Sequence, residues 1–312
     1  MAAEPPRTLV IAPTMQTEPT ITQKGSVNLG STCYLNSIVQ CILATRWWGG
    51  VVNEKCHASA FVNALRQDIH ESKNKPHLVL TQTARWAREK TGGGAQCTNE
   101  VLYAALSEME TELSDTYTIG ITSAMTCSEC DRAQRTKDTW AMLTLNYAAT
   151  YRDATNTQFQ QTIDDYKCRS QCAACYTYCK ACRDVGCTEC RDKYCAQCTP
   201  GCYANGASGK QSVMVTRIPT DLLIVHVAKH ENPMAPMTGI PRTLFDDYDL
   251  VAVSIATGGH HNAVVKNGDR WIFIDDSSRS VLQTPDDMIS RASMFFYEKN
   301  GSYTGDLQHG HV

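Results

Sequence analysis

Residues 25–43, GSVNLGSTCYLNSIVQCIL, place a cysteine at the start of an amphipathic helix, with an asparagine five positions upstream. Leu35, Ile38, Val39 and Ile42 recur at helical spacing and mark a buried face. Ser31 and Thr32 offer capping oxygens where the helix begins, and Gly30 permits a tight turn into it. Cys33 therefore stands at a helix N-terminus, where orphan N–H groups and the helix dipole favour a thiolate. The Asn28 side chain, just upstream, offers a hydrogen bond to an oxyanion formed beside that sulfur. Alone, the stretch equally describes a structural cysteine opening a core helix.

A cysteine nucleophile needs an imidazole base and a group to orient it, both usually distant in sequence. Residues 248–282 supply them. Leu250 to Ile255, Asn262 to Lys266 and Trp271 to Ile274 read as three strands, the last two joined by a turn at Asn267-Gly268-Asp269. His260 follows two glycines and opens the second strand; Asp275 and Asp276 end the third. Antiparallel neighbours of this kind can bring an imidazole and a carboxylate together. His261 is a second imidazole, but strand alternation turns it to the opposite face from His260.

The segment around Cys33 resembles the cysteine box of the ubiquitin-specific proteases, G-L-x-N-L-G-N-T-C-Y-M-N-S-x-L-Q. The segment around His260 resembles their histidine box, G-G-H-Y followed by a strand and W-x-x-F-D-D. Between them, Ala95 to Met109 is similar to the family's Q-Q-D-A-x-E-F-L helix, and Lys210 to His230 to its strand–Leu-Pro–strand segment. The four matches run in family order from Gly25 to about Tyr297.

The resemblance implies an α+β fold, a papain-like cysteine protease with thumb, palm and fingers and a zinc-binding fingers subdomain. The thumb would span 25–115, the cysteine-rich fingers 116–211 and the palm 212–297, within a catalytic domain of 25–300. Residues 1–24 and 301–312 read as a disordered leader and a flexible tail. Local pattern adds a helix over Asn99 to Leu113, a strand-like run over Trp140 to Leu145 and another over Ser212 to Val227 around Pro219. Trp47, Trp48 and Trp86 read as core.

By the same resemblance Cys33 is the nucleophile, His260 the base, Asp275 the group that holds its tautomer and Asn28 the oxyanion donor, the generalised Cys-His-acid arrangement. Gly258, Gly259, His261 and Asp276 would line the path of the substrate's Gly-Gly tail. The implied activity is hydrolysis of the bond after ubiquitin's C-terminal glycine, with ubiquitin and ubiquitinated proteins as partners. The chain departs from the family pattern at Ser31, where the pattern has asparagine, and at Cys97, where it has an acid. It departs again at His261, where the pattern has tyrosine, and in a short loop, Ile255-Ala256-Thr257, before the glycines. Those changes leave open the same chemistry on another ubiquitin-like modifier, or a silent ubiquitin-binding scaffold.

Twelve of the sixteen cysteines fall between Cys127 and Cys202. They form C-x-x-C pairs at Cys127/Cys130, Cys172/Cys175, Cys179/Cys182, Cys187/Cys190 and Cys195/Cys198, flanked by Cys168 and Cys202. Such pairs hold tetrahedral zinc two at a time, so the set suits about one to three structural ions. The resemblance pairs Cys127/Cys130 with Cys195/Cys198, Cys172/Cys175 competing for the second place. Disulfides are the rival, disfavoured because Pro5, Pro6 and Arg7 interrupt any signal-peptide core and because the chemistry needs a free thiolate. Residues 164–210 carry seven Lys/Arg against five Asp/Glu, too balanced for phosphate attraction.

A net charge of −3 and 42% hydrophobic content over 312 residues fit a chain with a substantial core and no bias toward nucleic acid or anionic membrane. The apolar runs are too short to span a bilayer. The expectation is an intracellular monomer, in cytoplasm or nucleus.

Overall fold

The computed structural model describes residues 24–92, 97–127, 133–163, 209–229 and 232–300. Helix α1 (Cys33–Leu43) lies at the centre, with every one of its residues buried. A helix enclosed on all sides must satisfy its polar residues internally. Gln40 Nε2 donates to Lys24 O and Ser26 Oγ, both at 2.8 Å, and Ser37 Oγ lies 3.1 Å from Ser254 Oγ. A π-helical turn at Trp48–Val52 and the short α2 (Asn53–Lys55) lead to α3 (Ala60–Glu71), α4 (Thr81–Thr91) and α5 (Thr98–Tyr117).

These helices are capped by one another's side chains. Ser59 Oγ accepts from Val62 N at the start of α3, where Glu108 of α5 also accepts from Phe61 N. Asp68, fully buried in α3, accepts from Gln82 N, Thr83 N and Thr83 Oγ1 at the start of α4. Orphan N–H groups of two helices are thus satisfied across helix–helix contacts, which fixes the arrangement of the bundle.

Strands β1 (Ile119–Cys127), β2 (Ala133–Trp140), β4 (Gln160–Ile163) and β5 (Gly209–Arg217) form an antiparallel sheet in the order β2-β1-β5-β4. The larger sheet has eight strands: β3 (Leu143–Asn146), β6 (Leu222–Ala228), β7 (Thr243–Leu244), β8 (Tyr248–Ala256), β9 (His261–Asn267), β10 (Arg270–Asp275), β11 (Ser278–Leu282) and β12 (Met294–Lys299). Its order is β11-β10-β9-β8-β12-β6-β3, with β7 beside β8 and only the β3–β6 pair parallel. Helices α6 (Tyr151–Phe159) and α7 (Asp286–Arg291) complete the described elements.

Strand alternation divides the core in two. Leu222, Ile224, Ala252, Ala263, Val265, Ile274 and Phe296 face α1 and the other helices. Leu223, Val225, Val253, Val264, Phe295 and Tyr297 face the opposite cluster, where Ala154 of α6 and Ile289 of α7 also pack. Strand β6 is buried on both faces, hence its unbroken apolar run.

The strands read over Leu250–Ile255, Asn262–Lys266 and Trp271–Ile274 are β8, β9 and β10, each slightly longer, and Gly268 turns the β9–β10 hairpin at φ +59°. The helix over Asn99–Leu113 is α5, and Trp47, Trp48 and Trp86 are buried. The run from Trp140 to Leu145 is not one strand: it breaks at Ala141-Met142, β2 ending in the smaller sheet and β3 joining the larger. Continuous apolar pattern cannot show a chain changing sheets. Among the described residues no helix is long and apolar enough to cross a membrane.

Candidate active site

Cys33 is the first residue of α1 and 7% exposed. The backbone reaches it through two left-handed residues, Gly30 at φ +90° and Ser31 at φ +53°. Capping differs from the sequence expectation. Thr32 occupies the N-cap, but its hydroxyl accepts from Leu29 N (2.9 Å) instead of a helix N–H, and Ser31 is exposed. The loop spends its hydrogen bonds on its own turn, leaving the first helix N–H groups without a side-chain cap. Asn28 organises that turn: its Oδ1 accepts from Gly30 N (3.0 Å) and Thr32 N (3.3 Å).

His260 immediately precedes β9, after a turn in which Gly258 and Gly259 take φ +63° and +111°. Thr257 N donates to His260 O at 2.7 Å and closes that turn. A Cβ on either glycine would meet nothing within 4 Å, so their requirement is conformational and their faces are open. His260 Nε2 lies 2.6 Å from Asp275 Oδ1, at the end of β10. A carboxylate there fixes the proton on Nε2 and leaves the Nδ1 lone pair free to accept one. Asn262, with its amide nitrogen toward the acid, adds a second donor to Asp275 Oδ1 at 3.0 Å.

Asp276 joins this pair to the cysteine loop. Its Oδ2 accepts from Asn28 Nδ2 (2.8 Å), its Oδ1 from Asn36 Nδ2 (2.7 Å), and its backbone oxygen from Ser26 N (2.8 Å). Cys33 is therefore bracketed by two residues anchored on one carboxylate, and that carboxylate is chained to the partner of His260. Side-chain ligand atoms of His260, Asp275 and Asp276 lie within 4.8 Å of one another, close enough to consider a cation. Their hydrogen bonds to each other and to Asn28 and Asn36 account for the cluster without one.

His261 turns to the side of Ala263 and Val265, which pack with α1. Burial, then the neighbouring His260, lowers its pKa from 6.5 to about 4, so it is neutral near pH 7. Cys41, Cys56 and Cys97 are also free but poorly placed as nucleophiles. Burial pushes the Cys41 thiol up, burial and the Glu112 carboxylate push Cys56 up to about 11, and Cys97 is exposed on the start of α5.

An open cavity of about 550 Å³ lies along α5, lined by Asn99 and Tyr103 with Asp138, Trp140, Met142 and Gln158. Tyr103 is 57% exposed, and Asn99 Oδ1 is buried without a hydrogen-bond partner among the described residues.

Sequence reading singled out Cys33, Asn28, His260, Asp275 and Asp276, all of which belong to this region. It missed Asn36 and Asn262. Asn36 had no signal of its own, since Ser37 and Gln40 are also polar and buried on the same helix. Of the zinc candidates only Cys127 is among the described residues, as the last residue of β1. Cys130, Cys168, Cys172, Cys175, Cys179, Cys182, Cys187, Cys190, Cys195, Cys198 and Cys202 lie outside them, as do the leader and tail apart from Lys24.

No curated protein sequence matches the chain. Among solved structures, the SAGA Ubp8/Sgf11/Sus1/Sgf73 DUB module bound to ubiquitin aldehyde has a chain similar to this one at TM-score 0.62. Identity is 14%, over 89% of this chain and 70% of that one. A second structure of the SAGA DUB module, bound to monoubiquitin, gives TM-score 0.63 and 15% identity over 93% of this chain and 72% of that one. At such identity the likeness establishes the fold. The family profile of the ubiquitin carboxyl-terminal hydrolases matches residues 24–297, from just before the cysteine loop into β12. The chain belongs to the ubiquitin carboxyl-terminal hydrolase family and is a ubiquitin-specific cysteine hydrolase.

Proposed function

We propose that this chain hydrolyses the isopeptide or peptide bond after ubiquitin's C-terminal glycine with Cys33, His260 and Asp275 as its triad. The observation that carries this reading is the 2.6 Å bond from His260 Nε2 to Asp275, tied through Asp276 to the loop that delivers Cys33. His260 Nδ1 takes the Cys33 proton, and the thiolate attacks the glycine carbonyl carbon. Asn28 Nδ2 has two hydrogens; one is held by Asp276, and the other, with Cys33 N–H, serves the oxyanion. As the tetrahedral adduct collapses, the leaving amine receives the proton from His260 and a thioester remains. Water, deprotonated by His260, then releases the ubiquitin carboxylate and restores the thiol.

The ubiquitin tail is assigned to the open glycine turn and the cavity along α5, whose exposed Tyr103 and acidic Asp138 suit an extended segment carrying apolar and basic side chains. His261 is a neutral wall near that path. We further assign structural zinc to the cysteine-rich segment. Register supports it: Cys127 and Ile163 both pair with Gly209, so Cys127 and the residues flanking that segment lie together at one end of the smaller sheet. The bound ion would join chain ends that this sheet already brings close. Four free thiols among the described residues accord with an intracellular setting.

A second reading, another ubiquitin-like modifier, is favoured by one feature. The β8–β9 connection is only Thr257 to His260, closed on itself, where the family pattern has a longer loop. Intact mass after exposure to ubiquitin carrying a C-terminal electrophile tests both. One adduct on the wild type and none on Cys33→Ala supports the proposal. No adduct from folded protein refutes ubiquitin as substrate, and labelling of Cys33→Ala refutes the nucleophile.

A further inference from the structure

We infer that Asn36 is a positioning residue for the oxyanion donor, acting through the Asp276 carboxylate on Asn28. The inference deepens the proposed chemistry and rests on Asn28 serving the oxyanion. Asn36 sits one helical turn beyond Cys33 and is 2% exposed, so its amide is held by the core. It spends its nitrogen on Asp276 Oδ1 (2.7 Å) and, more weakly, on Val27 O (3.4 Å). Its own Oδ1 is left buried without a hydrogen-bond partner among the described residues. Gln40 Oε1 on the same helix is orphaned likewise, its nitrogen holding Lys24 O and Ser26 Oγ, so what distinguishes Asn36 is the acceptor its nitrogen meets, the carboxylate that also holds Asn28.

Asp276 is itself held against its preference. Its φ is +49°, a conformation that residues with a Cβ rarely adopt, and its backbone oxygen is fixed by Ser26 N. In that pose one carboxylate oxygen meets Asn36 and the other Asn28 Nδ2. Asn28 in turn has its carbonyl occupied by Gly30 N and Thr32 N. Once Asp276 claims one hydrogen of Nδ2, the amide plane is fixed and the direction of the second hydrogen is set. Asn36 fixes Asp276, Asp276 fixes Asn28, and Asn28 faces the reacting carbonyl. A preorganised donor of this kind stabilises the transition state because it does not reorient during reaction.

The test is a double-mutant cycle on ubiquitin-conjugate hydrolysis with Asn28→Ala, Asn36→Ala and the pair. Asn28→Ala is expected to lower kcat about 10²–10³-fold. Asn36→Ala is expected to lower kcat about 10-fold or more at unchanged KM, and to have no further effect once Asn28 is gone. Alkylation of Cys33 by iodoacetamide, which forms no oxyanion, is expected to proceed at the wild-type rate in Asn36→Ala. Multiplicative losses in the pair, a change confined to KM, or slowed alkylation would overturn the inference. Should Asn36→Ala fail to fold, Asp276→Asn serves the same cycle: asparagine tolerates the left-handed backbone but cannot accept from both amides. A full kcat for Asp276→Asn would equally overturn it. If Asn28→Ala itself retains full kcat, the oxyanion assignment fails, and that result is separate from any behaviour of Asn36.

Discussion

His261 makes the acid stability of this protein a test of which imidazole does the chemistry. Its pKa falls from 6.5 to about 4 on folding, first through burial and then through His260. The folded state therefore disfavours the proton, while the unfolded chain takes it up below 6.5. Between those two values the unfolded state binds more protons, so stability falls as pH falls. At 1.36 kcal/mol per pH unit the ceiling is about 3 kcal/mol, of which about 2.5 kcal/mol is lost by pH 4.5. The ring is partly reached by water, and screening reduces the loss to on the order of 1–2 kcal/mol. Carboxylates whose pKa is lowered, such as Glu108, add their own losses below their ordinary 4.5, so the informative quantity is a difference between proteins. His261→Phe removes the titrating group and keeps the ring. Urea unfolding of both proteins from pH 7.5 to 4.5 should show the wild type losing roughly 1–2 kcal/mol relative to the variant, mostly below pH 6.5. A gap that stays constant across that range would refute the neutral, buried His261. The argument that His260, paired with Asp275, is the sole imidazole equipped to act as base would lose its support with it.

Gly25→Ala should cost on the order of 1–3 kcal/mol and sharply reduce turnover. A Cβ there would stand 2.6 Å from Asp276 O and Ser277 O, backbone atoms that cannot swing aside, so thermal melting and hydrolysis should fall together. Ser31→Asn should raise stability by a few tenths to about 1 kcal/mol, read as a small rise in Tm. Ser31 holds φ +53°, which asparagine tolerates better. Glu108→Ala should destabilise by about 1–3 kcal/mol. It removes the acceptor for Trp86 Nε1 and Phe61 N and the partner of Lys90, and a fall in Tm measures the loss.

The parts legible in sequence were those whose signal is local. Strand alternation gave β8 to β10 and their hairpin, and helical spacing gave α1 and α5, because periodicity reports which face is buried. Cys33, His260 and Asp275 stand out in the sequence because few residue types perform the proposed chemistry and each lies beside a turn or helix start that suits it. The hidden parts depend on contacts across the chain. Asn36 is an unremarkable polar residue until Asp276 is known to lie against it, 240 positions away. The capping hydroxyl of Thr32 was misread because sequence cannot say that Leu29 N competes for it. The break at Ala141-Met142 was invisible because both flanking segments have strand character and only the topology assigns them to different sheets.

The placement of Cys33 shows why polar contacts recur in an otherwise apolar interface. Apolar packing holds α1 against β8, β9 and β10, but hydrophobic attraction is non-directional and resists sliding along the helix axis only weakly. Hydrogen bonds have narrow distance and angle limits and resist sliding directly. They occur at three levels along the helix: Asn28 and Asn36 on Asp276 near its start, Ser37 on Ser254 next, and Glu298 accepting from Trp47 N and Arg46 Nε just beyond its end. Each joins the helical side of the molecule to the large sheet that carries His260 and Asp275. A slip of one residue would break all three, moving Cys33 about 1.5 Å along the axis. Misplacement on that scale can cost 10²-fold in rate. The register of α1 against the large sheet is therefore set by the fold itself, and in the proposed triad that is the register of Cys33 against His260.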